Sequence, residues 1–184
     1  MSLYYLIAQL PSLDGIADSA PLPITEERFH ELCGRFLGKK AVDRLKGLTL
    51  IPPREHIPTG SSLIDAWNDG ERALRLALGR VRAGKLKKSF DAGTDAFSPE
   101  VIQTAAKAAD MNDPLEAELY LNRCRLDFLE TLRPSDAFAE DSLFYYGLKL
   151  KLLSRLKQFD TAAGEAAYKN IYRFVMSGED TEGI

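Results

Sequence analysis

An all-α, multi-helix bundle is the fold this sequence predicts, and three observations lead there. Helix-start signals recur along the chain, at Thr25-Glu26-Glu27, Ser98-Pro99-Glu100 and Asp113-Pro114. Leucines of the last third recur at the spacing of a helix rather than the alternation of a strand. The breaks between these segments are irregular and rich in Pro and Gly. Residues 3–10 alone stay open between a short buried strand and a helix, because periodicity cannot arbitrate over so short a run.

Each element has its own reason. The apolar run Leu3 to Leu10 stops at Pro11, and "PSLDGIADSAPLP" carries three prolines and a Gly, which reads as an irregular connection. Thr25 offers an N-cap oxygen, with Glu26 and Glu27 at the positive end of the helix dipole. That helix buries Phe29, Leu32, Cys33 and Phe36 and ends near Gly38, and a short helix follows from Ala41 to Gly47. "TLIPPREHIPTGSS" is the strongest loop signal in the chain. Ser61 or Ser62 then caps a longer helix through Trp67, Leu74 and Leu78 to about Leu86. Gly70, Gly79 and Gly84 each weaken it by about 1 kcal/mol relative to Ala, enough to invite a break.

Ser98 caps the next helix, and Pro99 takes the first helical position, where its missing N–H costs nothing. That helix runs to about Asn112. Asp113-Pro114 repeats the start for a helix reaching Arg133, which Pro134 terminates. After the segment Ser142 to Asp160, Asp160 caps a last helix from Thr161 to Met176. The whole reads as one helical domain, 1–184, with a polar tail at 177–184 that frays.

The segment "SLFYYGLKLKLLSRLKQFD" is apolar enough to resemble a membrane anchor, yet it holds four Lys or Arg residues. On a helical wheel Tyr145, Leu148, Leu152, Leu156 and Phe159 fall in one stripe, and Leu143, Tyr146, Leu150 and Leu153 in a second. Lys151, Arg155 and Gln158 fill the remaining sector, which lipid would penalise. Two stripes predict a central helix wedged between neighbours. The preceding helix repeats the design: Leu115, Leu119, Leu126 and Leu129 in one stripe, and Ala117, Leu121, Cys124, Phe128 and Leu132 in another. Asn122 interrupts the first stripe, as a core amide, a register-fixing residue or a buried polar contact to a partner.

Composition excludes several classes. Hydrophobic content of 45% with 28% charged residues is ordinary for a globular chain, and a net charge of −3 argues against wholesale nucleic-acid binding. Cys33 and Cys124 are too few for a disulfide scaffold and lack metal-ligand spacing, so buried thiols in a reducing compartment are expected. The N-terminus has no basic region ahead of its short apolar run, which fits a cytoplasmic protein without a signal or transmembrane segment. His30 and His56 have no partner at a spacing that marks a catalytic pair, and "LGRVRAGK" lacks the spacing of a phosphate loop. No catalytic, cofactor-binding or metal-ligating residues are assigned.

The best polar feature is the run Glu71 to Lys88, with seven cations against one Glu in an acidic chain. Arg72, Arg75, Arg80, Arg82, Lys85, Lys87 and Lys88 form the candidate partner-binding set, steering an acidic partner to one face. The run contains no aromatic platform for base stacking, so a protein partner is favoured over a nucleic acid. Two further readings stand beside it: a small helical enzyme whose site gathers dispersed residues, using His56, Arg54 and Glu55, and a nucleic-acid-binding module on the basic run.

"DPLEAELYLNRCRLDFLETL", "SLFYYGLKLKLLSRLKQFD" and the N-terminal "YYLIAQLPSL" together resemble an uncharacterised family of short bacterial proteins encoded beside V/A-type ATPase subunits. The helical pattern is distantly similar to the C subunit of those machines, called d in eukaryotes, although this chain is much shorter. That subunit is an all-α socket between the central stalk and the membrane ring. The resemblance implies a non-enzymatic helical subunit or assembly factor of a proton-transporting V/A-type ATPase, peripheral on the inner face of the cell membrane at most. It carries over no catalytic residues and no cofactor.

Overall fold

The structure, a computed structural model, describes residues 3–16, 20–90, 97–159 and 161–178. Eight helices account for most of them: α1 (Leu3–Gln9), α2 (Glu26–Gly34), α3 (Lys39–Lys46), α4 (Ser62–Lys85), α5 (Pro99–Asp110), α6 (Pro114–Thr131), α7 (Glu140–Lys157) and α8 (Thr161–Gly178). The described residues contain no strand, so the all-α reading holds.

The open question at residues 3–10 resolves as a helix, for a reason visible in the side chains. Leu6 is fully buried, and Leu3, Ile7 and Leu10 pack against the same core while Tyr4 and Tyr5 face solvent. That i, i+3, i+4, i+7 set is one face of a helix; a strand would place Leu6 and Ile7 on opposite sides.

The predicted starts are built as read. Thr25, Ser61 and Ser98 each accept the backbone N–H three residues on, and Asp113 accepts that of Leu115. The cap proposed at Asp160 lies outside the described residues, as does the predicted tail beyond Gly178; Ser177 and Gly178 close α8. Helix α4 runs unbroken through its glycines. A Cβ at Gly70 would sit 2.4 Å from the Phe128 ring, and one at Gly79 2.5 Å from that of Phe90. The propensity lost there is exchanged for close ring packing.

Helix α7 is the axis of the bundle and packs against α2, α3, α4 and α6. Tyr145 and Leu150, one from each predicted stripe, are both buried. Gly147 lets α7 approach α2 and the loop after α3, since a Cβ there would meet Leu48 at 2.8 Å and Phe29 at 3.1 Å. The main core gathers Phe29, Leu45, Trp67, Leu129 and Phe144 around α7, and a smaller one joins Leu74 and Leu78 of α4 to Ala105 of α5 and Leu121 of α6. No described helix is long and apolar enough to cross a membrane.

Between the two cores lies an ion pair that sequence reading passed over. Glu71 of α4 is buried and accepts from Arg125 Nε at 2.8 Å and from Arg75 Nε at 2.7 Å. Arg125 is itself buried, with its Nη1 unpartnered. Asn122, one turn earlier, is fully buried and donates to the Leu152 carbonyl at 3.3 Å, which makes it a core amide linking α6 to α7.

Candidate functional site

The basic run divides once its geometry is known. Arg72 donates to the carbonyls of Pro53 and Glu55 and to Asp69, and Arg75 reaches the Leu50 carbonyl at 3.1 Å. These two staple the proline-rich loop to α4. Lys85 meets Asp110 at 2.7 Å and the Ala109 carbonyl at the C-terminal, negative end of α5. Arg80, Arg82, Lys87 and Lys88 are exposed and have no ion-pair partner among the described residues.

The residues weighed for catalysis are dispersed. His56 donates through Nδ1 to Asp69 at 2.9 Å on the exposed loop. Burial works against the Asp69 charge, but the hydrogen bonds from His56 and Arg72 outweigh it and hold its pKa below the usual carboxylate value. His30 stands half-buried on α2, its pKa lowered by burial and by Lys151. Cys33 is buried and its thiol pushed up to about 12 by that burial, which leaves it a packing residue rather than a nucleophile. Among the described residues no cluster of three or more His, Cys, Asp or Glu is spaced to hold a metal.

A broad concavity lies elsewhere, at the end of the α6–α7 pair. Leu119 and Leu126 of α6 form one wall and Leu153, Leu156 and Phe159 a second. Pro21 and Leu22, on the connection between α1 and α2, form the third side of this groove of about 1120 Å3. Its titratable lining residues are both cations, Arg123 and Lys157. Arg123 is exposed and forms no ion pair among the described residues. Of the first α6 stripe, Leu119 is 37% exposed at the groove, whereas Leu126 is partly buried against the main core.

The third wall is held from both ends. On one side Lys149, nearly buried on α7, spends its three N–H groups on Asp14 at 2.5 Å, Glu130 at 2.7 Å and Tyr145 Oη at 3.4 Å. Burial opposes the Lys149 charge, but the bonds to Asp14 and Glu130 outweigh it and raise its pKa above the ordinary lysine value. Burial likewise opposes the Glu130 charge, and Lys149 and Tyr145 together pull its pKa below the usual range. Tyr146 donates to the Pro11 carbonyl at 2.9 Å, its own pKa pushed up to about 12 by burial. At the far end Glu26 is bound by Lys151 at 2.6 Å. These groups satisfy one another, and their role is to fix the connection that shapes the groove.

Helix α8 leaves the body directly from the groove rim, four residues after Lys157. Among the described residues no other helix packs against it extensively, and its described side chains, Gly164 to Arg173, are all exposed. Tyr168, Ile171 and Tyr172 are 69%, 64% and 55% exposed and share one face, the tyrosine rings stacked at 6.3 Å. Glu165 and Lys169, paired at 3.6 Å, flank that face. Sequence reading placed this helix but not its isolation; the signal was its aromatic stripe, which no preceding segment was assigned to cover.

Comparisons with family models, with curated proteins and with solved structures find no match to this chain.

Proposed function

We propose that this protein is a non-enzymatic helical subunit or assembly factor of a V/A-type rotary ATPase, working through protein–protein contacts between the central stalk and the membrane sector. One observation carries the contact-making part of this reading: the apolar stripes of α6 and α7 run on past the bundle into an open groove. Leu119, 37% exposed, forgoes part of the roughly 1.5–3 kcal/mol that full burial of a leucine brings, and the partly buried Leu126, Leu153 and Leu156 extend it into an apolar patch of the kind that marks a docking surface. The exposed cations Arg80, Arg82, Lys87 and Lys88 add an electrostatic contact for an acidic partner. The identity of the machine rests on the resemblance of the segments 113–132 and 142–160 to the ATPase-linked family.

The test is recovery of the native complex. Affinity purification of the full chain from its own cells, in mild detergent, is expected to bring down ATPase subunits at fixed stoichiometry. Charge reversal at Arg80 and Arg82 is expected to weaken that recovery, more so at low salt than at high. Recovery of no ATPase subunit in repeated purifications rejects the assignment.

A further inference from the structure

The molecule has two surfaces without partners, and they complement each other. One is the groove of Leu119, Leu126, Leu153 and Leu156, with the cations Arg123 and Lys157 in its lining. The other is the face of α8, with Tyr168, Ile171 and Tyr172 exposed and Glu165 beside them. An amphipathic helix laid in an apolar groove is a common mode of recognition, anchored by residues at i, i+3 and i+4. The spacing of Tyr168, Ile171 and Tyr172 is that pattern.

The chain cannot seat this face in its own groove. Helix α7 ends at Lys157 and α8 begins at Thr161, so folding back sets Thr161 against Lys157 and steps later residues toward earlier ones. Tyr168 then falls opposite Leu150, Ile171 opposite Gly147 and Tyr172 opposite Tyr146. That stretch of α7 is already occupied: Lys149 is bound to Asp14, and Tyr146 to Pro11. The groove beside Leu153 and Leu156 would receive only the Ala- and Gly-containing first turns of α8, and the aromatic face would ride over the latch.

A second copy has no such constraint, because its α8 can slide along the groove until the aromatic residues meet the leucines. We infer that the chain forms a two-fold dimer in which α8 of each copy lies in the α6–α7 groove of the other. Two tyrosines and an isoleucine present about 400 Å2 per helix, on a burial scale of roughly 150 Å2 for each tyrosine. Added to the groove surface it covers and doubled by symmetry, that area comes to roughly 1,300 Å2, toward the lower end of the range for a specific interface. The exchange is isologous and closes on itself, so it yields a dimer and not a filament.

The experiment is the mass of the full chain in solution, by sedimentation or light scattering across a hundredfold range of concentration. A species of twice the 20.5 kDa chain mass, dissociating on dilution, is expected. Ile171→Asp on the helix and Leu119→Asp in the groove, both at exposed positions, are each expected to raise the dissociation constant at least tenfold without changing the circular dichroism of the monomer. Linkage is checked in a Cys124→Ser background by mixing chains carrying Leu119→Cys with chains carrying Ile171→Cys; an intermolecular disulfide is expected. A monomer at every concentration overturns the inference. So does a dimer indifferent to both substitutions, or a disulfide that forms only within one chain carrying both cysteines. The inference stands apart from the ATPase reading: a dimer that recovers no ATPase subunit refutes that reading alone, and an ATPase-bound chain that is always monomeric refutes this one alone.

Discussion

Helices α7 and α8 are each eighteen residues long and each carries an aromatic and aliphatic stripe, yet the protein treats them differently. Four helices close around α7, and Leu143, Phe144, Leu148, Leu150 and Leu152 are almost wholly withdrawn from water. Helix α8 keeps Tyr168, Ile171 and Tyr172 in solvent. Composition does not separate them; connectivity does. The helices that pack on α7, namely α2, α3, α4 and α6, all precede it in the chain. Helix α8 comes after them all and starts at the rim of the groove. An apolar stripe therefore marks what a helix requires, and topology decides whether its own chain supplies it.

Removing a charge from the covered region should have the largest effect. Glu71→Ala leaves Arg125 buried without its carboxylate, and loss of one member of a buried pair costs about 3–5 kcal/mol. Denaturant unfolding of the variant is expected to show that loss as a lower midpoint at unchanged slope. Replacing Glu71 and Arg125 together by Leu and Met should recover most of it, since no uncompensated charge then remains. A Glu71→Ala chain as stable as the parent would mean that water reaches this pair and that the two cores are not sealed against each other.

Next comes the direct contrast of the two helices. Leu150→Ala removes a fully buried side chain from α7 and is expected to cost about 3 kcal/mol. Ile171→Ala, measured at dilution where only monomer is present, is expected to change stability by no more than about 0.5 kcal/mol. Equal losses at the two sites would show that α8 packs on its own bundle, and the contrast drawn above would fail.

Much of this fold was legible in the sequence because local chemistry and tertiary packing agree. Thr25, Ser61, Ser98 and Asp113 act as caps because their side chains satisfy N–H groups that the helix itself cannot. The stripes of α7 were readable because each buried side chain repeats a helical period. The Glu71–Arg125 pair was not, since nothing local distinguishes a buried glutamate from a solvated one across 54 residues of sequence. The hint was positional: Glu71 follows Trp67 by four residues and precedes Leu74 by three, so a carboxylate stands in an apolar stripe. Counting it instead as the single acid of a basic run hid its role, and with it the structural duty of Arg75. The groove is a similar case. Leu119, Leu126, Leu153 and Leu156 stand in the stripes by period, but period cannot say which members of a stripe stay only partly covered at a groove.

The smallest expected effect concerns the latch that shapes the groove's third wall, and it depends on pH. The folded pKa of Glu130 is depressed, so its contribution is complete above the unfolded value of about 4.3 and is lost as pH falls through the folded value. That of Lys149 is raised, so its contribution is complete below about 10.4 and is lost as pH rises through the folded value. The latch is therefore whole across the neutral range and weakens at both extremes. Because Glu130 and Asp14 are 41% and 64% exposed, water screens much of the attraction and the effect on global stability should fall well below that of either core substitution. It is better seen locally. Amide exchange at Asp14, Gly15 and Ile16, corrected for intrinsic rates, is expected to accelerate as pH drops from 5 toward 3, with little change in α7. Lys149→Gln should produce the same acceleration at neutral pH, and Glu130→Gln should flatten the acid dependence. If exchange in this connection is indifferent to all three, the third wall is held by the packing of Leu13 and Leu22 with the Tyr146–Pro11 and Lys151–Glu26 contacts, and the groove keeps its shape without the Lys149 latch.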